Sequence, residues 1–341
     1  MKILFVMPKV GSWATHGKHV APNQLYAHWA AFVRGKGYDN VEVIDCKALE
    51  IPTQEMVDLV KKKNPDIVVL GEQLHSYGGY AVVAHFNEAA RRIKEALPKT
   101  KIILGGLWYS AMPIETMKSN TAIDFVVMAE EEAFADLIEA IDKKKPLKDV
   151  AGVTSRIDGE VVMGPYRPLN TDLDKLPLPA YDLFPMDKYV GHTHWKPFVD
   201  MVTSRGCPSA CTFCYEWDQY DPRNPSDFLK WRAKSPERVM EELNLLHKKY
   251  GVKVVVLQDD NFNTNPARVK KFCELKKASN NPIKWVSLGR AVDWVNCEDI
   301  LPLMKETGLF IGVFGIEVTT PEELKRIAKG ITVDQIKKTI E

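Results

Sequence analysis

The sequence predicts an α/β protein of two parts, because strand and helix patterns alternate twice along the chain. The first alternation runs from residue 1 to about residue 145, and a proline-rich passage interrupts it. The same alternation resumes near residue 198. A length of 341 residues also exceeds that of one ordinary domain, so two domains are expected.

The first part, residues 1–148, is predicted to form a doubly wound, Rossmann-like sheet with helices on both faces. The predicted strands are residues 2–8, 41–46, 66–71, 101–106 and 124–129. Between them, apolar side chains recur at steps of three or four residues and form buried helical stripes. One stripe contains Val82, Phe86, Ala89, Ile93 and Leu97, and another contains Phe134, Leu137, Ile138 and Ile141.

Residues 149–197 are predicted to form a hairpin followed by an ordered linker. Asp158-Gly159 separates two short strand patterns, and this dipeptide is typical of a tight hairpin turn. The passage that follows excludes a helix or an inner strand, because proline has no amide donor and recurs throughout it. Its prolines are Pro165, Pro168, Pro177, Pro179 and Pro185.

The second part, residues 198–341, is predicted to form a partial (β/α) barrel of successive strand–helix units. The predicted strands are residues 199–203, 253–257, 284–288 and 310–316. Ser235-Pro236 and Thr320-Pro321 indicate helix starts, since Ser or Thr caps a helix and proline fits its first turn. Because these strands fall short of a full barrel, we expect the sequence to be truncated at its C-terminus, without a further substrate-binding region.

Composition argues against several kinds of partner and location. Forty-six basic and 45 acidic residues give a formal charge of +1, which offers no electrostatic basis for binding nucleic acid. No apolar run approaches the roughly 18 residues that span a bilayer, and the N-terminus lacks a signal-peptide pattern. The six cysteines do not resemble a secreted disulfide framework. The protein is therefore expected to be cytoplasmic and reduced.

The main candidate site is a loop that holds Cys207, Cys211 and Cys214, directly after the first strand of the second part. Thiolates on a tight loop can bind three irons of a [4Fe–4S] cluster and leave the fourth iron open to another molecule. One alternative is a structural zinc site completed by His192 or His194, although zinc sites usually contain a second cysteine pair. Inert packed cysteines are the other alternative.

The spacing CxxxCxxC, with Phe213 before the last cysteine, resembles the signature of the radical S-adenosylmethionine superfamily. The resemblance implies that the amino and carboxylate groups of S-adenosylmethionine chelate the open iron. It also implies reductive cleavage to methionine and a 5′-deoxyadenosyl radical, with electrons from a donor such as flavodoxin or ferredoxin under anaerobic conditions. By the same resemblance, Phe213 lies beside the adenine.

Polar side chains also stand at the ends of the later barrel strands, where barrel enzymes place their chemistry. Asp259 and Asp260 follow the second strand, Arg290 the third and Glu317 the fourth. S-adenosylmethionine offers an ammonium, a carboxylate and ribose hydroxyls to such groups, and similar residues of the superfamily bind it. The alternative is helix capping by the aspartates and a surface ion pair for Arg290.

The first part resembles the cobalamin-binding domain that precedes the radical domain in many superfamily members, which implies bound cobalamin. Gly105 and Gly106 lie in a passage, residues 104–116, that is similar to the later half of that domain. Glycines there allow a bulky ligand to approach the backbone. The cobalt-ligating motif DxHxxG is absent, and residues 128–132 also depart from the family pattern. His16, His19 and His75 are interpreted as loop residues rather than ligands.

These features predict a radical S-adenosylmethionine enzyme that uses cobalamin to methylate or oxidatively cyclise an unactivated carbon of a small molecule. The sequence also resembles the anaerobic magnesium-protoporphyrin IX monomethyl ester cyclases, and a tetrapyrrole or a lipid is a candidate substrate. Two alternatives are radical chemistry without cobalamin and a non-catalytic iron–sulfur or zinc protein. Four aromatic residues are candidates to line a hydrophobic cavity, although aromatic residues near loops more often pack in the core: Trp13, Trp108, Tyr109 and Trp217.

Overall fold

The computed structural model describes residues 1–10, 18–71, 79–128, 130–214 and 230–341. Within these residues the chain separates into two compact units. The first unit contains residues 1–170 and 176–193, and the second contains residues 171–175, 194–214 and 230–341. None of the helices in these described ranges is both long and apolar enough to cross a bilayer.

The first unit is built on a sheet with the strand order β2-β1-β3-β4-β5-β6-β7. Its central strands are buried along their whole length, as expected for a parallel sheet that helices cover. The first five strands are parallel and confirm the five predicted strands. They are β1 (Ile3–Met7), β2 (Val41–Asp45), β3 (Ile67–Gly71), β4 (Lys101–Gly105) and β5 (Phe125–Val127).

The helices of this unit pack apolar stripes against the sheet. The stripes predicted in α3 and α6 are confirmed, since Phe86, Ile93 and Phe134 have no exposed surface. Residues 107–119, which follow β4, form two short helices, and Pro113 opens the second. The helices are α1 (Gln24–Gly35), α2 (Thr53–Lys63), α3 (Gly79–Ala96), α4 (Leu107–Ala111), α5 (Pro113–Ser119) and α6 (Glu131–Asp142).

The strand order places a topological switch point between β1 and β3, where open α/β sheets bind ligands beyond the carboxyl ends of the strands. Tyr26 of α1 joins these two ends, because its hydroxyl donates to the Val6 carbonyl and accepts from the Gly71 amide, each at 2.8 Å. The Asn23 side chain donates to the Gly71 carbonyl at 3.1 Å and caps α1. The start of α1 is therefore fixed to this edge.

The predicted hairpin is confirmed by β6 (Val153–Ile157) and β7 (Glu160–Met163). Asp158 and Gly159 have φ angles of 49° and 86°, as a two-residue type I′ turn requires. β6 pairs antiparallel with β5, so the hairpin extends the first sheet instead of belonging to a linker. The proline-rich passage that follows, residues 164–197, is described throughout and contains single-turn helices and an isolated bridge between Val190 and Val20.

The second unit contains a parallel sheet with the strand order β13-β12-β11-β8. Going along the chain, each of these four strands is added next to the one before it, always on the same side of the sheet. This winding is that of a (β/α) barrel and confirms the predicted partial barrel. The strands are β8 (Phe198–Met201), the short pair β9 (Ser204–Arg205) and β10 (Arg232–Ala233), β11 (Val254–Leu257), β12 (Lys284–Leu288) and β13 (Leu309–Val313).

Helices follow the barrel strands, and α7 begins as the sequence predicts. The Ser235 hydroxyl accepts the Arg238 amide at 3.1 Å, and Pro236 occupies the first turn. The C-terminal helices pack around a cluster of Ala291, Leu324, Ile331 and Ile336. The helices are α7 (Pro236–Tyr250), α8 (Pro266–Ala278), α9 (Ala291–Asn296), α10 (Leu301–Glu306), α11 (Pro321–Arg326) and α12 (Val333–Ile340).

Candidate functional site

The cysteine loop, residues 206–214, begins directly after β9 in the second unit. Cys207 and Cys211 are buried, whereas Cys214 is half-buried. The Cys214 amide donates to the Cys211 carbonyl at 3.1 Å, and the Ser209 hydroxyl oxygen lies 3.4 Å from the Cys211 sulfur. All three are free thiols, so no disulfide removes a potential ligand.

Two consecutive carboxylates at the end of β11 hold the chain where it enters this loop. Asp259 accepts the Thr203 amide at 2.6 Å through one oxygen and the Thr203 hydroxyl at 2.5 Å through the other. Asp260 accepts the Gly206 amide at 2.9 Å, one residue before Cys207. Asp259 has no exposed surface, so the structure places it as a support of the backbone beneath the loop.

Arg268 of α8 contributes a buried positive charge at the same strand end. Its guanidinium donates to the Thr203 carbonyl at 3.1 Å, to the Thr203 hydroxyl at 2.9 Å and to the Lys234 carbonyl at 2.9 Å. Burial lowers the pKa of Arg268, and the Asp259 carboxylate acts in the opposite direction. A buried cation and a buried anion therefore share Thr203 as their common partner, and removing either would leave the other uncompensated.

The far end of the cysteine loop rests on residues 327–330, which we name the strap. The Thr212 amide donates to the Ile327 carbonyl at 3.0 Å. Beside this bond, the Lys329 ammonium lies 5.4 Å from the centre of the Phe213 ring, within the range of a cation–π interaction. Phe213 is 54% exposed, so much of its ring is open to a ligand.

Glu317 and Arg290 also contact the strap. The Lys329 ammonium lies 3.3 Å from a carboxylate oxygen of Glu317. The Arg290 guanidinium donates to the Lys329 carbonyl at 2.7 Å and to the Gly330 carbonyl at 3.3 Å. Its distance to the Asp293 carboxylate is 4.0 Å, so backbone carbonyls are its closer partners. The alternative prediction, a surface ion pair, therefore does not account for the main contacts of Arg290.

All four polar residues predicted at the barrel strand ends thus contact the cysteine loop, the strand end before it or the strap. Asp259 and Asp260 support the entry to the loop, whereas Glu317 and Arg290 meet the strap at its far end. The alternative of helix capping by the aspartates is wrong, because α8, the next α-helix along the chain, is capped by Asn265.

Three residues that link this arrangement were missed by sequence reasoning. Thr203 ends a predicted strand, and a hydroxyl at that position was the one available signal. Arg268 and Lys329 lie within or beyond helices, and no spacing rule relates them to the cysteines. Their contacts depend on the three-dimensional path of the chain.

Several buried polar atoms near the carboxyl ends of β8, β11 and β12 have no hydrogen-bond partner among the described residues. Buried polar groups are normally paired, so unpaired donors and acceptors at one strand edge fit a polar ligand. S-adenosylmethionine carries an ammonium, a carboxylate and hydroxyls that such atoms can pair. The atoms are Ser204 Oγ, Asn261 Oδ1, Asn263 Nδ2 and Arg290 Nε.

Neither a cluster site nor the alternative zinc site is preformed. Across the part of the chain that the structure describes, no three His, Cys, Asp or Glu side chains gather closely enough to hold a metal ion. This applies to the three cysteines and to their predicted zinc partners, His192 and His194. Three thiols on one short loop nevertheless match the soft donor set that iron–sulfur clusters use.

In the first unit, Gly105 and Gly106 lie at the carboxyl end of β4. A Cβ at Gly105 would overlap the indole ring of Trp29, and one at Gly71 would lie 2.7 Å from the Gly105 carbonyl oxygen. Both glycines therefore allow α1 and neighbouring strands to pack closely. Gly106 begins α4 with a φ of 116°, which glycine adopts without steric cost.

The remaining predictions for the first unit have mixed outcomes. Tyr109 is fully buried and its hydroxyl donates to the Val83 carbonyl, so it is a packing residue and not part of a cavity wall. Trp108 is 38% exposed, and the ring of His19 packs edge-on against that of His192. The predictions for Trp13, His16, His75 and Trp217 lie outside the described residues.

Two family models match the sequence, one in each part. Residues 22–138 match the B12 binding domain, and residues 201–341 match the radical SAM superfamily. The first match includes the switch-point helix α1 and Gly105. The second includes the cysteine loop and the strap.

Curated relatives match along almost the whole chain. An uncharacterized methyltransferase of Pyrococcus horikoshii is 35% identical over 98% of this chain and 69% of its own length. The anaerobic magnesium-protoporphyrin IX monomethyl ester cyclase of Rubrivivax gelatinosus is 26% identical over 100% of this chain and 60% of its own length. The chain thus spans about two thirds or less of the length of these relatives.

A solved structure shows the same fold. The radical S-adenosylmethionine methyltransferase TsrM from Kitasatospora setae, with cobalamin and a [4Fe–4S] cluster bound, superposes with a TM-score of 0.74. The match covers 100% of this chain and 64% of that one, at 16% identity. At this identity the likeness concerns the fold.

Proposed function

The chain belongs to the radical S-adenosylmethionine superfamily, in the group whose members carry a B12-binding domain, and on this premise we propose its reaction. The protein cleaves S-adenosylmethionine at a [4Fe–4S] cluster and uses cobalamin to methylate or oxidatively cyclise an unactivated carbon. The observation that carries this proposal is the cysteine loop at the carboxyl edge of the barrel. Hydrogen bonds hold it to the end of β11 on one side and to the strap on the other.

In this proposal Cys207, Cys211 and Cys214 are the protein ligands of the cluster, and they leave one iron for S-adenosylmethionine. When bound, the cluster supplies the electron that opens the sulfonium and so yields methionine and a 5′-deoxyadenosyl radical. Cys207 and Cys211 are buried and Cys214 is half-buried, so binding of a cluster would require the three thiols to come closer together. Phe213, with its exposed ring, lies against the adenine.

The strand-end residues divide into supporting and binding groups. Asp259 and Asp260 fix the backbone of the loop through Thr203 and Gly206, and this positioning role replaces the direct cosubstrate contact that the sequence favours. Glu317 is 44% exposed at its side chain, which supports a contact with the ribose hydroxyls. Arg290, whose buried Nε has no hydrogen-bond partner among the described residues, is proposed to bind the cosubstrate carboxylate.

Cobalamin is proposed to bind at the carboxyl edge of the first sheet, at the switch point between β1 and β3. Gly105 ends β4 at this edge and Gly106 follows it, and neither residue has a side chain that would keep a ligand from the backbone. The division into a cobalamin-binding domain of residues 1–148, a connecting segment of 149–197 and a radical domain of 198–341 stays a prediction.

The remaining partners are proposed from the same chemistry. The substrate is a small molecule with an unreactive carbon, and tetrapyrroles and lipids are the first classes to assay. A flavodoxin or ferredoxin of low potential would supply the electron. Such chemistry requires a reduced compartment without oxygen, which the cytoplasm of an anaerobically growing cell provides.

The first experiment tests the cluster and the cleavage. Protein purified without oxygen should contain about four iron and four sulfide per chain, and reduction with dithionite should release 5′-deoxyadenosine from S-adenosylmethionine. Cys211→Ala should lose both properties. Cys273→Ala is the matched control, because Cys273 is a buried thiol of the same unit outside the loop. Cleavage retained in Cys211→Ala would refute the assignment.

The second experiment separates cobalamin-dependent chemistry from radical chemistry alone. The protein should bind about one cobalamin per chain in equilibrium dialysis, the stoichiometry expected for a single switch-point site. Release of 5′-deoxyadenosine without any binding of cobalamin would instead indicate a radical S-adenosylmethionine enzyme that does not use cobalamin.

A further inference from the structure

We propose that Lys329 is a positioning residue that orients Phe213 and Glu317 towards the adenosine half of S-adenosylmethionine. The inference rests on the proposed function, because it assigns Phe213 to the adenine and Glu317 to the ribose. It adds a residue that lies outside the cysteine motif and outside the strand ends. Lys329 is reached along the chain only after α11.

The environment of the Lys329 side chain is unusual for a lysine. Its side chain is 8% exposed, although lysine is almost never fully buried without a partner. Its ammonium has two partners, a carboxylate oxygen of Glu317 at 3.3 Å and the face of the Phe213 ring at 5.4 Å. One buried cation thus connects the cysteine loop with the residue that follows β13.

The backbone around Lys329 is fixed on both sides. The Ile327 carbonyl accepts the Thr212 amide at 3.0 Å, and the Lys329 carbonyl accepts the Arg290 guanidinium at 2.7 Å. Ala328 has a φ of 51°, a left-handed conformation that costs energy for a residue other than glycine. The strap holds this strained conformation and thereby presents the ammonium to both partners.

The contacts of Lys329 select one half of the cosubstrate. In the proposed function, the methionine half is bound by the open iron and by groups near Arg290, whereas the adenosine half meets Phe213 and Glu317. Removing the ammonium leaves the Phe213 ring and the Glu317 carboxylate without their common cation. Neither side chain is then held in its orientation by Lys329. The affinity for adenosine-containing ligands should fall, whereas the affinity for methionine should not.

The experiment uses the whole protein, reconstituted with iron and sulfide under nitrogen. Binding of S-adenosylmethionine, 5′-deoxyadenosine and methionine is measured by isothermal titration calorimetry for the parent and for Lys329→Met. We expect the affinity for the first two ligands to fall about tenfold or more, as befits loss of a buried cation with two partners. Methionine affinity and iron content should stay within about twofold of the parent.

Two further variants control for a general loss of structure. Lys276→Met removes another buried lysine of the same unit, whose ammonium donates to the Asn281 carbonyl just beyond the end of α8. It should leave all three affinities unchanged. Lys329→Arg keeps the charge and should recover most of the adenosine affinity. If Lys329→Met does not fold or load iron, Lys329→Gln and Lys329→Arg give the same comparison.

The inference would be overturned by equal loss of affinity for methionine and 5′-deoxyadenosine, or by no loss for either. An arginine variant no better than the methionine or glutamine variant would also overturn it. Failure of the proposed function looks different, because the parent protein itself would then release no 5′-deoxyadenosine on reduction.

Discussion

Thr203 is a single hydroxyl residue on which two buried charges depend. Its hydroxyl bonds both Asp259 and Arg268, and its amide bonds Asp259 again. Thr203→Val keeps the shape of the side chain but leaves a buried carboxylate and a buried guanidinium short of one partner each. We expect the free energy of unfolding to fall by ~1–3 kcal/mol, measured by urea denaturation.

Thr203→Ser is the control, since it keeps the hydroxyl and loses one methyl group. Its unfolding free energy should lie much closer to that of the parent. Equal stability of the valine and serine variants would mean that the hydroxyl does not support this strand end.

The buried cysteines outside the loop are predicted to be chemically inert. Burial raises the pKa of Cys46 and Cys297 to about 12 and that of Cys273 to about 11. At pH 9 no more than about 1% of each is thiolate, the reactive form. In the cluster-free folded protein, iodoacetamide at pH 7 to 9 should therefore modify the half-buried Cys214 first, as mass spectrometry of the peptides would show. Rapid labelling of Cys46 at pH 9 would contradict this.

At the residue scale, the sequence was informative wherever chemistry depends on local spacing. The three cysteines and Phe213 lie within eight residues, and each acid follows a strand, so their approximate location could be predicted. The roles of these residues could not be predicted, because they depend on burial and on contacts in the folded chain. Asp259 and Asp260 are adjacent, and both bond backbone amides. Lys329 was out of reach, since its partners lie 12 and 116 residues away.

The packing of α1 on β4 depends on the absence of one side chain. Trp29 lies where a Cβ of Gly105 would be, so Gly105→Ala forces the indole ring or the strand to move. We expect the free energy of unfolding, measured by thermal denaturation, to fall by ~1–3 kcal/mol. Because α1 carries Tyr26 and Asn23 at the switch point, cobalamin binding should weaken as well.

Gly35→Ala provides the matched control on the same helix. No atom lies within 4 Å of a Cβ at Gly35, and alanine should leave stability unchanged or raise it by up to ~1 kcal/mol. A second test combines Gly105→Ala with Trp29→Leu, which should recover part of the loss. A loss that the leucine does not reduce would point to a cause other than the indole ring.

β13 is the outer strand of the barrel sheet as the structure describes it, and it is unusually exposed. Phe310, Ile311 and Val313 are 40%, 38% and 43% exposed, whereas β8 at the opposite edge is buried throughout. An exposed apolar edge strand promotes pairing between chains. Ile311→Lys should therefore reduce association at rising concentration, measured by static light scattering.

Ile340→Lys adds the same charge at an isoleucine that is 64% exposed on a helix. It should reduce association less than Ile311→Lys does. Equal effects would indicate that charge alone, and not the strand edge, governs association.

At the scale of elements, buried strands were predicted well because a run of apolar residues has few alternatives in an α/β fold. The helices α4 and α5 were missed because five and seven residues are too few to show a helical period. The strand order of the first sheet was not predicted, since each β–α unit looks alike in sequence whether the next strand is added on one side of the sheet or on the other.

Across the whole molecule, the two cofactor functions are assigned to different units. The B12-binding match lies within residues 22–138 and the radical SAM match within 201–341. Cys211→Ala should therefore lose its iron but still bind cobalamin with the affinity of the parent, as measured by dialysis and by cobalt analysis. Loss of both cofactors would show that the units do not bind them independently.

The attachment of the cysteine loop has a consequence for protein engineering. The loop is tethered to Asp259, Asp260 and the Ile327 carbonyl, which come from segments more than 40 residues downstream. A transplant of residues 203–214 into another barrel scaffold would arrive without any of these tethers. Designers who wish to move the motif must bring the neighbouring strand end and the strap with it.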